Sequence, residues 1–185
     1  GSVSSGIFLI KSGKVKKYNV DNTSKEQIIY VANHGELIGY HAVLSEERYP
    51  DSAAAIEDSL ISFIPKEDFT SILHRSPFFT HRLLKALSHE FTVLANSISV
   101  IAHKSATERL AIALIVFREK FKEDGVPVGG DIVLNISRTD LANMAGIAHE
   151  NVIRLLKEFK EEGILETEGR KIRIRDIQAL VKKSN

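Results

Sequence analysis

Residues 136–156, ISRTDLANMAGIAHENVIRLL, constrain this chain more tightly than any other stretch. Leu141 and Ala145 lie four apart, as the buried edge of a short helix requires. Ala142 is small, which lets a second helix cross close to the first. Gly146 follows, a residue that tolerates the positive φ of a sharp turn. Ile147, Val152 and Leu155 then make the inner face of the second helix. His149, Glu150, Asn151 and Arg154 are left facing outward, a polar row at the start of that helix. Ser137, with Asp140 three residues on, is close to a capping box and opens the unit. The spacing predicts a helix-turn-helix. The competing reading is an ordinary helical hairpin whose polar face meets only water.

The residues that follow add a hairpin. Gly163 is placed to end the second helix. Ile164-Leu165 and residues 171–174 have the pattern of two strands around Glu168-Gly169-Arg170. Along the second strand Ile172 and Ile174 point one way, and Lys171, Arg173 and Arg175 the other. A basic face on such a wing suits phosphate contact. The alternative is a solvated edge strand guarded by charge. Residues 176–181 suit a small closing helix. Residues 137–185 carry ten Lys and Arg against eight Asp and Glu, and the whole chain has net charge +1. A case for nucleic acid therefore rests on where charges sit, not on their number.

Upstream, residues 7–64 have the pattern of short strands. Ile7-Phe8-Leu9-Ile10 stops at Ser12-Gly13, residues 15–20 alternate in part, and Asp21-Asn22-Thr23-Ser24 is a turn cluster. Residues 27–31, 36–39, 52–55 and 60–64 continue the series at roughly ten-residue spacing, which suggests an antiparallel roll or barrel. Residues 65–73 suit a short helix with Pro65 in its first turn. Ser76 as N-cap and Pro77 at the first helical position start a longer one. Along it Leu84, Leu87, Phe91, Leu94, Ile98 and Ile101 are spaced three, four, three, four, three, a heptad seam. Leu83, Val93, Ala95 and Val100 widen it, as suits a helix facing both a partner helix and its own barrel. Self-association through the seam and plain core packing both remain open. His81, His89 and Glu90 are expected at exposed positions of this helix.

The heptad stops near His103-Lys104-Ser105, a natural domain boundary and candidate hinge. Ser105 and Glu108 form a capping box for the next helix, whose Leu110, Ile112, Ala113, Leu114, Val116 and Phe117 suit the core of a second domain. Residues 124–130 are expected to be loop, with a short strand at Ile132, Val133 and Leu134.

Several function classes are excluded or disfavoured. No apolar run is long enough to span a bilayer and no signal peptide is visible, so no membrane partner and a cytoplasmic location are expected. With no Cys, these residues can form no disulfide, thiolate nucleophile or cysteine-ligated cluster. There is no HExxH, GxSxG, P-loop or GxGxxG motif, so neither an enzyme nor a metal site is expected.

Ser137-Arg138-Thr139-Asp140-Leu141-Ala142, then Gly146, then His149-Glu150-Asn151-Val152-Ile153-Arg154-Leu155, resembles the Crp/Fnr family of bacterial transcription regulators. Glu108-Arg109-Leu110-Ala111 and residues 9–16 match the family too, so the likeness covers nearly the whole chain. The resemblance implies an α+β fold. Residues 1–76 would form an effector-sensing β-roll or barrel like that of cyclic-nucleotide-binding domains. Residues 77–104 would be a dimerisation helix, and residues 105–185 a winged helix-turn-helix. In the family the first barrel strands would precede this start, so the barrel is expected to be incomplete at its N-terminus.

The function implied is sequence-specific DNA binding by a homodimer on a near-palindromic operator. RNA polymerase is a further partner the resemblance suggests. The alternative is a barrel protein acting through protein contacts alone, with a degenerate DNA-binding domain. In a helix-turn-helix the second helix enters the major groove. His149, Glu150 and Arg154 are thus expected at base edges: Arg154 can fork onto guanine and Glu150 can accept from cytosine. Ser137, Arg138, Asn151, Arg170, Lys171 and Arg173 are expected at phosphates. Many relatives have Ser or Thr where Ala148 stands and Arg where His149 stands, so the preferred site is expected to differ from the usual one.

The barrel also departs from the family. In members that bind cyclic nucleotides, a Glu beside a Gly holds the ribose and an Arg before Ser-Ala pairs with the phosphate. Here Gly39 is followed by Tyr40, and Asp51 precedes Ser52. A carboxylate repels a phosphate, and no guanidinium remains at that place to grip it. Arg48 is a conceivable substitute. Cyclic AMP is therefore not expected to bind in the family manner, and no cofactor is evident. The barrel is either a structural or protein-contact domain, or it holds a different ligand.

Overall fold

The computed structural model describes residues 1–122 and 132–185, so the expected loop at 124–130 lies outside the described residues. The chain divides into two compact units, Gly1–Ile98 and Ser99–Asn185.

The first unit begins with two antiparallel three-stranded sheets. Strands β1 (Gly6–Ser12), β4 (Leu37–Ile38) and β6 (Leu60–Pro65) make one, in the order β4-β1-β6. Strands β2 (Val15–Val20), β3 (Glu26–Ala32) and β5 (Ser52–Ala55) make the other, in the order β3-β2-β5. Ile10, Val15, Ala32 and Ile38, from four strands and both sheets, are buried together. Strands β2 and β5 fall at their expected limits, β3, β4 and β6 within a residue of them, and β1 runs on to Ser12, two residues past the expected run.

Three helices complete this unit. Helix α1 (Tyr40–Leu44) starts from Gly39, whose φ of 82° is left-handed. Helix α2 (Lys66–Arg75) starts one residue later than expected: Pro65 ends β6 and caps α2 from outside, with ψ of 150°. Its ring fixes φ and its missing N–H removes nothing from either element at that junction. Helix α3 (Pro77–His103) is the long one. Ser76 caps it, accepting from Phe79 N at 3.2 Å. Ile7, Tyr40, Val43, Phe69 and Leu83 join β1 and all three helices in one core cluster.

Leu87 departs from the seam. It packs against that same cluster, whereas Leu84 (59% exposed), Phe91 (73%), Leu94 (42%), Ile98 (70%) and Ile101 (50%) face solvent. Leu83, Leu87, Glu90, Val93, Ser97 and Val100 make the less exposed stripe. The two faces of α3 are therefore distinct, and Leu87 belongs to the barrel side.

The second unit is built on helix α4 (Ala106–Phe121), which buries Leu110, Ala111, Ala113, Leu114 and Phe117. The expected capping box is complete: Ser105 Oγ accepts from Glu108 N, and the Glu108 carboxylate accepts from Ser105 N. Strand β7 (Val133–Asn135) pairs antiparallel with β9 (Lys171–Ile174), which pairs with β8 (Leu165–Glu168). Helices α5 (Arg138–Ala145) and α6 (His149–Glu161) lie between β7 and β8 in the chain. Helix α7 (Ile177–Lys183) closes the unit, capped by Asp176. The division between units falls inside α3, a few residues before the expected break. Within the second unit, Lys104 Nζ reaches the Asn185 carbonyl at 3.1 Å and Glu108 at 2.9 Å.

Candidate nucleic-acid interface and effector pocket

Helix α5 and helix α6 carry the site. Ser137 Oγ accepts from Asp140 N and donates to the Asp140 carboxylate, fixing the start of α5. Gly146 takes φ 63° and ψ 37°, the left-handed turn the spacing demands. Arg109 of α4 donates to the Gly146 carbonyl at 3.2 Å and so braces that turn. Leu141, Ala142, Ala145, Ile147, Val152 and Leu155 are all at most 5% exposed. The inner face is therefore the one the pattern specifies.

The outer face of α6 is open. His149, Glu150 and Arg154 are exposed and Asn151 is half-buried. Ala148 stands at the N-cap with no side-chain hydrogen bond, so the first-turn amides gain none of the roughly 1 kcal/mol that Ser or Thr would supply there. Arg154 pairs with Glu158 on its own helix at 2.6 Å. That pair is solvated and worth about 0.3–0.5 kcal/mol, whereas a forked guanine contact is worth about 1–3.

Arg138 has a partner the sequence did not suggest. Its Nη2 donates at 2.9 Å to the carbonyl of Gly169, at the tip of the β8–β9 hairpin. Its Nη1 is buried without a partner, and burial pushes the guanidinium below its ordinary pKa. Arg138 therefore fixes the wing against α5, whatever else it touches.

The wing is less basic than expected. Arg170 and Lys171 are exposed, but Glu168 stands directly opposite Lys171, and Glu166 directly opposite Arg173. Arg175 donates to Glu166 at 2.8 Å, which holds that carboxyl below its usual pKa. The face expected to be cationic is mixed, because the alternation of β8 puts its two acids on the same side. Arg170 at the tip has no acid opposite it in the strand register.

Of the expected effector residues, Gly39, Asp51 and Ser52 line a cavity of about 440 Å³ with Phe8, Lys17 and Tyr49, whereas Tyr40 is buried in the core and is not in that lining. Asp51 does not stand alone there. Its carboxylate lies 3.5 Å from Lys17 Nζ and 3.7 Å from His41 Nε2. Lys17 is 4% exposed and also reaches Glu90 of α3 at 3.1 Å. Burial first, and then the Lys17 charge, lower the His41 pKa. The Tyr40 hydroxyl is buried without a well-formed hydrogen bond, and burial and the nearby Glu90 charge raise its pKa. Arg48 donates at 2.9 Å to the carbonyl of Gly1, a lining residue, but does not itself line the cavity.

Lys17 and Glu90 were legible but missed. Lys17 is two residues after buried Val15 on a strand, and Glu90 is seven after Leu83 and three after Leu87 on a helix. Both periodicities turn the side chain inward. Glu90 is thus not the exposed helix position expected of it. Among the described residues, no group of His, Cys, Asp or Glu could hold a metal ion, and no helix is long and apolar enough to cross a membrane.

Comparison with known proteins gives a consistent result. The family model for the cyclic nucleotide-binding domain matches residues 1–76, and that for the Crp-like helix-turn-helix domain matches residues 108–183. The chain is 30% identical over 176 residues to the transcriptional activator protein FnrA of Stutzerimonas stutzeri, covering 95% of this chain and 71% of that one. It is 29% identical over 174 residues to the fumarate and nitrate reduction regulatory protein of Salmonella typhimurium, covering 94% and 69%. Among solved structures, FixK2 from Bradyrhizobium japonicum superposes with a TM-score of 0.85 at 20% identity, covering 100% of this chain and 89% of that one.

Proposed function

Because the chain belongs to the Crp/Fnr family of transcription regulators, with a helix-turn-helix DNA-binding domain, we propose that it acts as a homodimer on a near-palindromic operator. The family consists of regulators, not enzymes. The observation that carries the proposal is the outer face of α6. His149, Glu150 and Arg154 are exposed there, while the opposite face is fully engaged in the core. Arg154 reads guanine, Glu150 the cytosine amino group, and His149 an adjacent base edge. Ser137 at the α5 N-terminus, Asn151 on α6, and Arg138, Arg170, Lys171 and Arg173 about the wing supply phosphate contacts, with Arg170 the least opposed by acids.

Dimerisation runs through Leu84, Phe91, Leu94, Ile98 and Ile101, whose exposure on one face of α3 a second copy would relieve. Half-sites then lie about one helical turn, roughly 34 Å, apart. RNA polymerase is a further partner of the DNA-bound dimer. On this reading cyclic AMP is not the effector: Asp51 takes the place where the family resemblance puts a phosphate-gripping Arg, and its carboxylate lies 3.5 Å from Lys17 Nζ.

Selection of bound duplexes from random DNA tests this reading. It should enrich a near-palindrome, and light scattering should give a dimer. A purified protein that ignores every duplex at low salt, or a stable monomer, would overturn it. Micromolar cyclic AMP binding by calorimetry would overturn the effector part alone.

A further inference from the structure

We infer that the outer face of helix α3 docks an acidic segment of another protein, with Phe78 as the apolar anchor. Phe78, His81, Arg82, Lys85 and His89 share one stripe of the helix, three or four residues from one another, and all are exposed. The stripe is neither of the faces described above. Leu83 and Leu87 turn to the barrel core. In the heptad that puts Leu84 and Phe91 at a, Phe78 and Lys85 fall at b and Arg82 and His89 at f, which point away from a partner helix. A dimer through the seam leaves the stripe open on both copies.

Its charge is of one sign. Residues 69–89 hold Arg75, Arg82 and Lys85 and no Asp or Glu. Among the described residues, these three cations make no ion pair. A helix face that only meets water normally mixes signs, and α6 does so: Arg154 pairs with Glu158 and Lys157 with Glu161, each four residues on. On α3 the residues four either side of Lys85 are His81 and His89, and those of Arg82 are Phe78 and Ala86. Helices α2, α4, α5 and α6 each carry a stabilising acid in the first turn, and α3 carries none.

Phe78 sets the class of partner. Its ring is 71% exposed, whereas Phe79 beside it packs into the core cluster against Phe69. The Arg82 guanidinium lies 5.8 Å from the centre of the Phe78 ring, so cation and ring form one feature. A protein surface offering acids around an apolar contact complements both. Duplex phosphates complement the cations and leave the ring in water. An anionic bilayer would take the ring, but three cations fall short of the clusters of about four to eight that bind such surfaces.

The test uses the full chain and a fluorescein-labelled peptide of Glu and Asp interleaved with Leu, beside the same peptide with Gln and Asn for the acids. Fluorescence anisotropy should show saturable binding of the acidic peptide, weakened by salt, and none of the neutral one. Arg82→Glu with Lys85→Glu should weaken it about tenfold or more, since like charges then face each other. Phe78→Ala should weaken it about fivefold. Lys11→Glu with Lys25→Glu, an equal charge change at exposed sites elsewhere in the first unit, should leave it unchanged. All variants should keep the parent's thermal midpoint. An acidic peptide that does not bind, a neutral one that binds equally, or binding that survives reversal of Arg82 and Lys85 would overturn the inference. So would equal loss in the Lys11 and Lys25 variant, which makes the attraction one of net charge, or a fall in midpoint, which gives the α3 cations a part in the fold. Phosphatidylserine vesicles or random duplex held through Arg82 and Lys85, with the peptide left free, would overturn the choice of a protein partner.

Discussion

Replacing Lys17 by Met should cripple the first unit, and the magnitude follows from the pairing. Lys17 is 4% exposed and lies 3.5 Å from Asp51 and 3.1 Å from Glu90, whose side chains are 11% and 15% exposed. Met has a similar length and no charge, so the change deletes the cation and keeps most of the packing. It leaves two poorly solvated carboxylates around a vanished partner. Removing one member of such a buried set costs about 3–5 kcal/mol, because the charges left behind stay desolvated. For a unit of this size each kcal/mol shifts the thermal midpoint by about 4–8 °C, so a drop of roughly 12 °C or more is expected.

The assay is clean because all four tyrosines, Tyr18, Tyr30, Tyr40 and Tyr49, lie in the first unit and the chain has no Trp. Tyrosine fluorescence during urea unfolding therefore reports that unit alone. Adding Asp51→Asn and Glu90→Gln to Lys17→Met should restore most of the loss, since a neutral set carries no uncompensated charge. The reasoning is wrong if Lys17→Met stays within about 1 kcal/mol of the parent, or if the triple variant is no better than the single. The His41 ring gives an independent check by nuclear magnetic resonance. Its pKa is held down by burial and by Lys17, so it should rise in Lys17→Met.

Other expectations are more local. Arg154→Ala should cost about 1–3 kcal/mol on the selected operator and relax specificity at one base pair, with little change on random DNA. Glu158→Ala frees Arg154 from its 2.6 Å pair and should tighten operator binding about twofold, as a solvated i,i+4 pair implies. Arg138→Ala should weaken all duplexes alike and flatten the salt slope. It should also speed amide exchange at the Gly169 tip, because the 2.9 Å bond to that carbonyl is lost. The Glu108 carboxyl is held at about 2 by Lys104 and Ser105. Its folded value lies below its unfolded one, so its contribution is present above about pH 4.5 and is lost as pH falls toward 2. Ser105→Ala should cost about 1 kcal/mol of cap stability and remove part of that acid sensitivity.

What could be read from residue order divides along a physical line. Periodicity decides which side of an element is buried, so the inner face of α5 and α6, the Gly146 turn and the strands β1, β2, β5 and β6 follow directly from spacing. The departures come where two elements, each consistent alone, share one surface. On β9 alternation alone makes Lys171 and Arg173 a basic face. Only the antiparallel register with β8 sets Glu168 and Glu166 opposite them and cancels it. On α3 a heptad count assigns Leu87 to the partner-facing seam, yet the barrel core claims it, because the helix serves two faces and 3.6 does not keep step with 3.5. The same logic explains the pocket. Taken alone, Asp51, just before β5, is a bare repulsive charge. Alternation already turned Lys17 inward on β2, and the inner stripe of α3 already included Glu90. Lys17 is buried, and a buried charge is costly unless it is paired, so it must meet the half-buried Asp51 and Glu90 or destabilise the fold. An inward-facing Lys on a strand is itself a demand for a carboxylate, and Asp51 and Glu90 meet it at 3.5 and 3.1 Å.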